Sequence, residues 1–215
     1  MRNRIRTSGA LGLAAILLLS SSSWAAINLL ANPGFEVPDA TAGDVYANPG
    51  PTGWTGFNGA FITQVTKETG LQSFKSFGNP GGAFQDFAAS PGQTWTGTVD
   101  SESFSADPLT GQQGTFINIE WHDSGGGLIS FLSTPIANSL SPVNTWLPGM
   151  VTGVAPANTA TARLVLLCGP YTGIGTGAGG SGFFDNATFS VPEPASAMVL
   201  SSLVAGIGLL RRRRA

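Results

Sequence analysis

The side chains of this 215-residue chain that could do chemistry are a few carboxylates, one imidazole, one thiol and two phenols. In the run from Thr115 to Asp123, the alternation expected of a strand sets Ile117, Ile119 and Trp121 on one face and Phe116, Asn118, Glu120 and His122 on the other. An amide, a carboxylate and an imidazole in one row are groups that read hydroxyls. Asn118, Glu120 and His122 therefore form a candidate ligand platform, to which Tyr46 and Tyr171, expected in loops, would add rim aromatics. A plain solvated face is the competing reading, because antiparallel sheets commonly leave one side to water. Asp123 follows His122 directly, but adjacent strand residues point to opposite faces and cannot orient one another as a catalytic triad requires. One His and one Cys supply too few nitrogen and sulfur ligands for catalytic zinc. Asp100, Glu102 and Glu120 leave a two-carboxylate glycosidase as the enzymatic alternative, provided they share a cleft.

Two further features read as structural. Cys168 closes the apolar run that starts at Arg163, which suits a buried small hydrophobe in a core strand. The glycine-rich run 169–182 lacks the Gly-Lys-Ser/Thr ending of a phosphate loop and reads as a mobile hairpin loop entering the last strand. Seven of the ten basic residues sit at the chain ends, so between Glu36 and Asp185 three basic residues face eleven acidic ones, a net of −8. A middle of that sign repels phosphate backbones and excludes nucleic acid as a partner.

The elements that would position these residues are strands. Short β-rich runs alternate with Gly, Pro, Asn and Ser clusters and no long helical period intervenes, the pattern of an all-β antiparallel sandwich. The runs are 60–67, 82–87, 94–104, 115–121, 128–132, 146–154, 162–168 and 182–190, and about eight antiparallel strands suit a jelly roll in one domain over residues 26–190. In 94–104 the same parity sets Trp95, Gly97, Val99 and Ser101 against Thr96, Thr98, Asp100 and Glu102.

Both ends read as addresses. Residues 1–25 hold Arg2, Arg4 and Arg6, an apolar stretch 10–19 and a small-residue segment, the order of a secretory signal peptide, with cleavage after Ala25 or else after Ala26. At the other end Pro192-Glu193-Pro194 precedes an apolar segment 195–210 and the cluster Arg211, Arg212, Arg213 and Arg214. Sixteen apolar residues are marginal for a hydrocarbon core about 30 Å thick, and terminal arginines hold their end in the cytoplasm, leaving the domain outside. This tail resembles the PEP-CTERM sorting signal of Gram-negative bacteria. The resemblance implies export by the general secretion machinery, transient anchoring in the inner membrane, recognition and cleavage near the motif by an exosortase, and a mature form at the cell surface or outside it. An ordinary tail anchor is the plainer alternative.

Between the ends, the opening Asn28-Leu-Leu-Ala-Asn-Pro-Gly-Phe-Glu36 resembles the first strand of galactose-binding-like carbohydrate-binding modules of families 4, 9 and 22. Gly53-Trp54, Gln85 before Pro91-Gly92-Gln93-Thr94-Trp95, Asp123-Ser-Gly125, Asn144-Thr-Trp146, Val154-Ala-Pro156 and Phe184-Asp185-Asn186 follow in the family's order. The resemblance implies a noncatalytic sandwich with Trp54 and Trp146 in its core, alongside Trp95 and Trp121 on apolar strand faces. It also implies one structural Ca²⁺ held by Glu36 and Asp185 with backbone carbonyls, in the oxygen-rich shell calcium takes. Asn186 stands where a second Asp is common, and a hydrogen-bonded tie between two strands is the alternative for the same pair. Together these features point to an exported surface or matrix protein whose sandwich binds extracellular polysaccharide. A structural matrix protein without a specific glycan is the alternative, and a glycosidase the third reading.

Overall fold

The computed structural model describes residues 26–40, 44–46, 50–171 and 177–191, and these contain strands and turns but no helix. The strands are β1 (Asp44–Tyr46), β2 (Thr55–Thr63), β3 (Ser73–Ala88), β4 (Thr94–Ser103), β5 (Thr110–Gly111), β6 (Gln113–His122), β7 (Leu128–Asn138), β8 (Leu147–Val154), β9 (Thr161–Pro170), β10 (Ala178–Gly179) and β11 (Gly182–Ser190). The eight long ones match the eight expected runs in order. Among the described residues no helix is long and apolar enough to cross a membrane. The signal segment 1–25 and the tail with Pro192, Glu193, Pro194 and Arg211 to Arg214 lie outside the described residues.

All main strand pairs are antiparallel, in the order β7-β6-β9-β3-β11-β4-β8, with β2 beside β3 and β1 beside β2. The long β3 belongs to both layers of a sandwich. Its second half, from Gly81 on, pairs with β9, whereas Phe74, Lys75 and Ser76 pair with β11. Alternation then fills the space between layers: Ile117, Ile119 and Trp121 from β6 and Ala162, Leu164 and Leu166 from β9 meet Phe74, Trp95, Val99, Val151, Phe184 and Phe189 from the other layer. The layers approach closely at Gly97, where a Cβ would sit 2.6 Å from Leu164 Cδ1 and 3.3 Å from Ile117 Cδ1. Burial of this aromatic and aliphatic set supplies the main driving force for the fold.

Several expectations need correction. Phe74 to Pro80 continue a strand that was expected to begin only at residue 82. The Asn-Pro-Gly-Gly stretch is an irregularity within β3, matched by a register shift between Phe57 and Gly59 on β2, and does not end the strand. The segment 26–40 is not a regular strand, since Asn32 and Phe35 adopt φ of 48° and 58°. Side-chain amides hold it instead: Gln85 pairs both ways with the Ala31 backbone, and Gln72 donates to Phe35 O and Pro38 O while accepting from Ala40 N. Trp146 is half-buried in the turn before β8, outside the core that Trp54, Trp95 and Trp121 enter. The glycine-rich run is partly strand, as Gly169 and Pro170 end β9 and Ala178–Gly179 pair with β5; residues 172–176 lie outside the described set.

Candidate functional site

Four strands build the face that holds the predicted platform. On β6, Asn118, Glu120 and His122 share the outer face, and the ladder sets them opposite Val165, Arg163 and Thr161 of β9 on one side. On the other side Ser133 and Phe131 of β7 stand opposite Asn118 and Glu120. Across β9, Asp86 and Phe84 of β3 lie opposite Arg163 and Val165. The face is recessed rather than washed by solvent: Asn118 and His122 are only 7% and 9% exposed. Asn118 and His122 are thus largely withdrawn from water, unlike the residues of a plain solvated face.

The polar groups form a chain across these strands. Arg163 donates from Nε and Nη2 to Asp86 at 2.6 and 2.9 Å, and its Nη1 lies 3.9 Å from Glu120 Oε2. His122 Nε2 lies 3.1 Å from the same Glu120 oxygen, and His122 Nδ1 lies 3.2 Å from the Gly126 carbonyl. The bidentate bond to Asp86 holds the Arg163 guanidinium above its usual range. The guanidinium also lies over the Phe84 ring, 3.8 Å from its centre, with Phe57 6.5 Å further along. Phe131 is 57% exposed beside Glu120, and Asn118 Oδ1 is buried with no hydrogen-bond partner among the described residues. Aromatic rings thus flank a fixed row of charged donors and acceptors that includes one unsatisfied amide oxygen. Rings of this kind can stack on the apolar faces of a polyhydroxylated ligand, and such donors and acceptors can pair with its hydroxyls.

Of the expected rim aromatics, Tyr171 joins this face, stacked on Phe116 at 5.8 Å. Tyr46 does not lie in a loop: it sits in β1, in register with Phe61, which places its backbone in the other layer. Arg163, Asp86, Phe84 and Phe131 were not singled out from sequence. The available signal was Arg163, one of three cations between the chain ends, placed inside an apolar strand. The glycosidase carboxylates are not brought together. Glu120 is on the outer face of one layer, Asp100 and Glu102 on the outer face of the other, and the apolar core separates them.

Glu36 and Asp185 meet near the 68–72 turn. Asp185 is fully buried and accepts from Glu68 N and Thr69 N at 3.1 and 3.0 Å and from Asn186 N at 2.7 Å. Glu36 accepts from Leu71 N at 3.0 Å and from Gln72 N at 3.5 Å, its carboxylate packed where a Cβ on Gly70 would collide. Burial raises the Asp185 carboxyl above its ordinary range, against the pull of these N–H groups. Each of these contacts is an N–H donor converging on a carboxylate, which satisfies the anions within the fold. The pair thereby joins the opening segment, the 68–72 turn and β11 through hydrogen bonds. Beside it, the Glu68 carboxyl is pushed up to about 7 by desolvation and by its hydrogen bond and repulsion with Asp100, while Asn186 donates to Glu68 at 3.0 Å.

No protein-family model matches the chain, and no curated protein matches it. Solved structures do. The arabinose-bound α-L-arabinofuranosidase MgGH51 superposes with a TM-score of 0.51 at 14% identity, covering 77% of this chain and 26% of that one. The CBM22-1 xylan-binding domain from Paenibacillus barcinonensis Xyn10C gives 0.49 at 12% identity, covering 68% and 90%. The enzymatically active domain of Bacteriophage CBA120 tailspike protein 4 gives 0.49 at 14%, covering 77% of this chain and 21% of the tailspike. The chain therefore spans about a fifth of the tailspike domain and about a quarter of the arabinofuranosidase. At these identities the likeness is one of fold, an all-β sandwich.

Proposed function

We propose that this chain is an exported, noncatalytic jelly-roll module that binds extracellular polysaccharide on the outer face of β7, β6, β9 and β3. One observation carries the reading: the row Asp86, Arg163, Glu120 and His122, fixed by mutual bonds between the exposed ring of Phe131 and the ring of Phe84. Rings spaced across a strand face accept successive sugar units, and a pre-fixed polar row reads their hydroxyls at little entropic cost. The reading is noncatalytic because Glu120 is engaged by His122 and Arg163 and faces neither Asp100 nor Glu102 across a cleft. Ligands of this kind are met outside the cell, which agrees with the signal segment and with the PEP-CTERM-like tail, taken as an exosortase substrate. The exported form then loses Arg211 to Arg214, and an intact mass that retains them on surface-released protein would refute that processing.

The test of binding is retention of the full-length chain on gels containing polysaccharide from its producing organism. Retention is expected, with at least about a tenfold loss of affinity in Phe131→Ala and in the Glu120→Ala/His122→Ala double variant. Retention unchanged in both removes the ligand from this face. No retention at all leaves the structural matrix reading, and release of new reducing ends that a single carboxylate substitution abolishes would restore the glycosidase.

A further inference from the structure

A second polar cavity lies at the opposite end of the sandwich. Gln113 begins β6 and His122 ends it, so the cavity is separated from the His122 end by about 30 Å of strand. It has a volume of about 570 Å³, within the range of small-molecule pockets. One wall comes from Lys75 and Phe77 of β3, another from Asp107, and the third from β10 and the turn after it, through Ser181. The two-residue ladder of β5 and β10 holds that segment in place, with Gly180 at φ 83° where a Cβ would collide with the Pro108 carbonyl. The glycine-rich sequence thus furnishes a bare backbone wall here.

The polar groups have specific unmet capacity. Gln113 is 2% exposed, and its Nε2 donates to Gly78 O at 2.9 Å and contacts Cys168 Sγ at 3.1 Å. The bond to the Gly78 carbonyl fixes which way the amide points, because the flipped amide would set oxygen against oxygen. Its Oε1 is then left buried with no hydrogen-bond partner among the described residues. An orphaned buried acceptor costs stability and calls for a donor. Asp107 Oδ2 accepts from Ser181 Oγ at 2.7 Å and lies 3.3 Å from Lys75 Nζ, so Ser181 keeps its own lone pairs as acceptors. Phe77, 40% exposed and stacked on Phe61 at 5.3 Å, supplies an apolar wall.

We infer that this cavity is a second saccharide site, taking a single neutral sugar unit. The orphan acceptor needs a hydroxyl rather than a carboxylate, and the Lys75–Asp107 ion pair balances the charge that would otherwise favour an anion. A pyranose offers hydroxyls to Gln113 Oε1 and Asp107, accepts from Lys75, and lays a C–H face on Phe77. The inference does not rest on the reading of the β6–β9 face.

The full-length chain, labelled with ¹⁵N, is titrated with D-galactose, D-xylose and D-glucose to about 100 mM, the range of weak single-sugar affinities, with D-glucuronate as the anionic control. Saturable shifts are expected at the amides of Gly78, Asp107, Gln113 and Ser181 with at least one neutral sugar. They should weaken at least about tenfold in Gln113→Met and in Ala178→Phe, which fills the cavity from an exposed position, and should persist in Glu120→Ala/His122→Ala. Ala178→Phe keeps the test decisive should Gln113→Met fail to fold. The inference is overturned if none of the neutral sugars gives saturable shifts there, if the shifts survive Ala178→Phe unchanged, or if glucuronate binds more tightly than every neutral sugar. Polysaccharide retention that is absent in the parent chain, or unchanged in Phe131→Ala and Glu120→Ala/His122→Ala, would sink the β6–β9 reading alone and leave these shifts as they are.

Discussion

On the β6–β9 face, Asp86 and Glu120 are held by the side chains of Arg163 and His122, half in reach of solvent. Around the 68–72 turn, Glu36 and Asp185 are held by backbone N–H groups, with Asp185 out of solvent entirely and Glu68 leaning on Asp100. Both regions join distant strands through carboxylates, yet only the first leaves exposed rings and an unsatisfied amide for something else to bind. A carboxylate by itself therefore says little about function. What distinguishes a reading surface from a structural tie is whether its partners are side chains with capacity left over or main-chain donors already committed.

The sharpest way to break this contrast is Asp185→Ala. It leaves the N–H groups of Glu68, Thr69 and Asn186 without their acceptor in a buried place, and a loss of about 3 kcal/mol is expected in urea unfolding. The same change should leave polysaccharide affinity of the folded fraction as it was. A loss within the error of the method would mean the tie is dispensable.

A smaller effect comes from Glu68. Its carboxyl binds its proton more tightly folded than unfolded, so its contribution to stability is complete below about pH 4.5 and fades as pH rises through about 7. Asp185, also raised, acts in the same direction. Glu68→Gln should flatten the melting temperature between pH 5 and pH 8 by a few degrees relative to the parent, to be followed by circular dichroism, about the scale expected for a solvent-screened group. An unchanged profile would show that Glu68 and Asp100 do not share a proton.

The smallest expected response is to calcium. With Glu36 and Asp185 already saturated by N–H donors, millimolar calcium or its chelation should move the melting temperature by less than about 1 °C. A rise of several degrees would hand both carboxylates to a metal and erase the distinction drawn here.

The strand faces were legible in the sequence because period-two alternation survives wherever one side of a strand meets the core. Trp95, Val99, Ile117, Ile119 and Trp121 are buried as parity required, and Cys168 is buried with its thiol pushed up to about 12 by desolvation. Alternation also placed Asn118, Glu120 and His122 on one face. It could not reveal which strand would lie beside them, so Arg163 and Asp86, 43 and 34 residues from Glu120 in opposite directions, went unread. Nor could it foresee that β3 runs through Asn79-Pro80-Gly81-Gly82, since a turn-forming sequence looks the same whether it ends a strand or bends one.

The contacts of Asn28 and Leu29 carry a consequence for how the chain is made. Asn28 donates to Ala187 O and accepts from Phe189 N, and Leu29 N bonds to Phe189 O, so residues about 160 apart in sequence close the domain. Asn28 and Leu29 leave the ribosome long before β11 and must wait for that strand to make these bonds. Contacts of that separation make closure slow and late, after synthesis rather than during it. The closing contacts can thus lock only when β11 arrives, which makes the last strand the clasp of the domain.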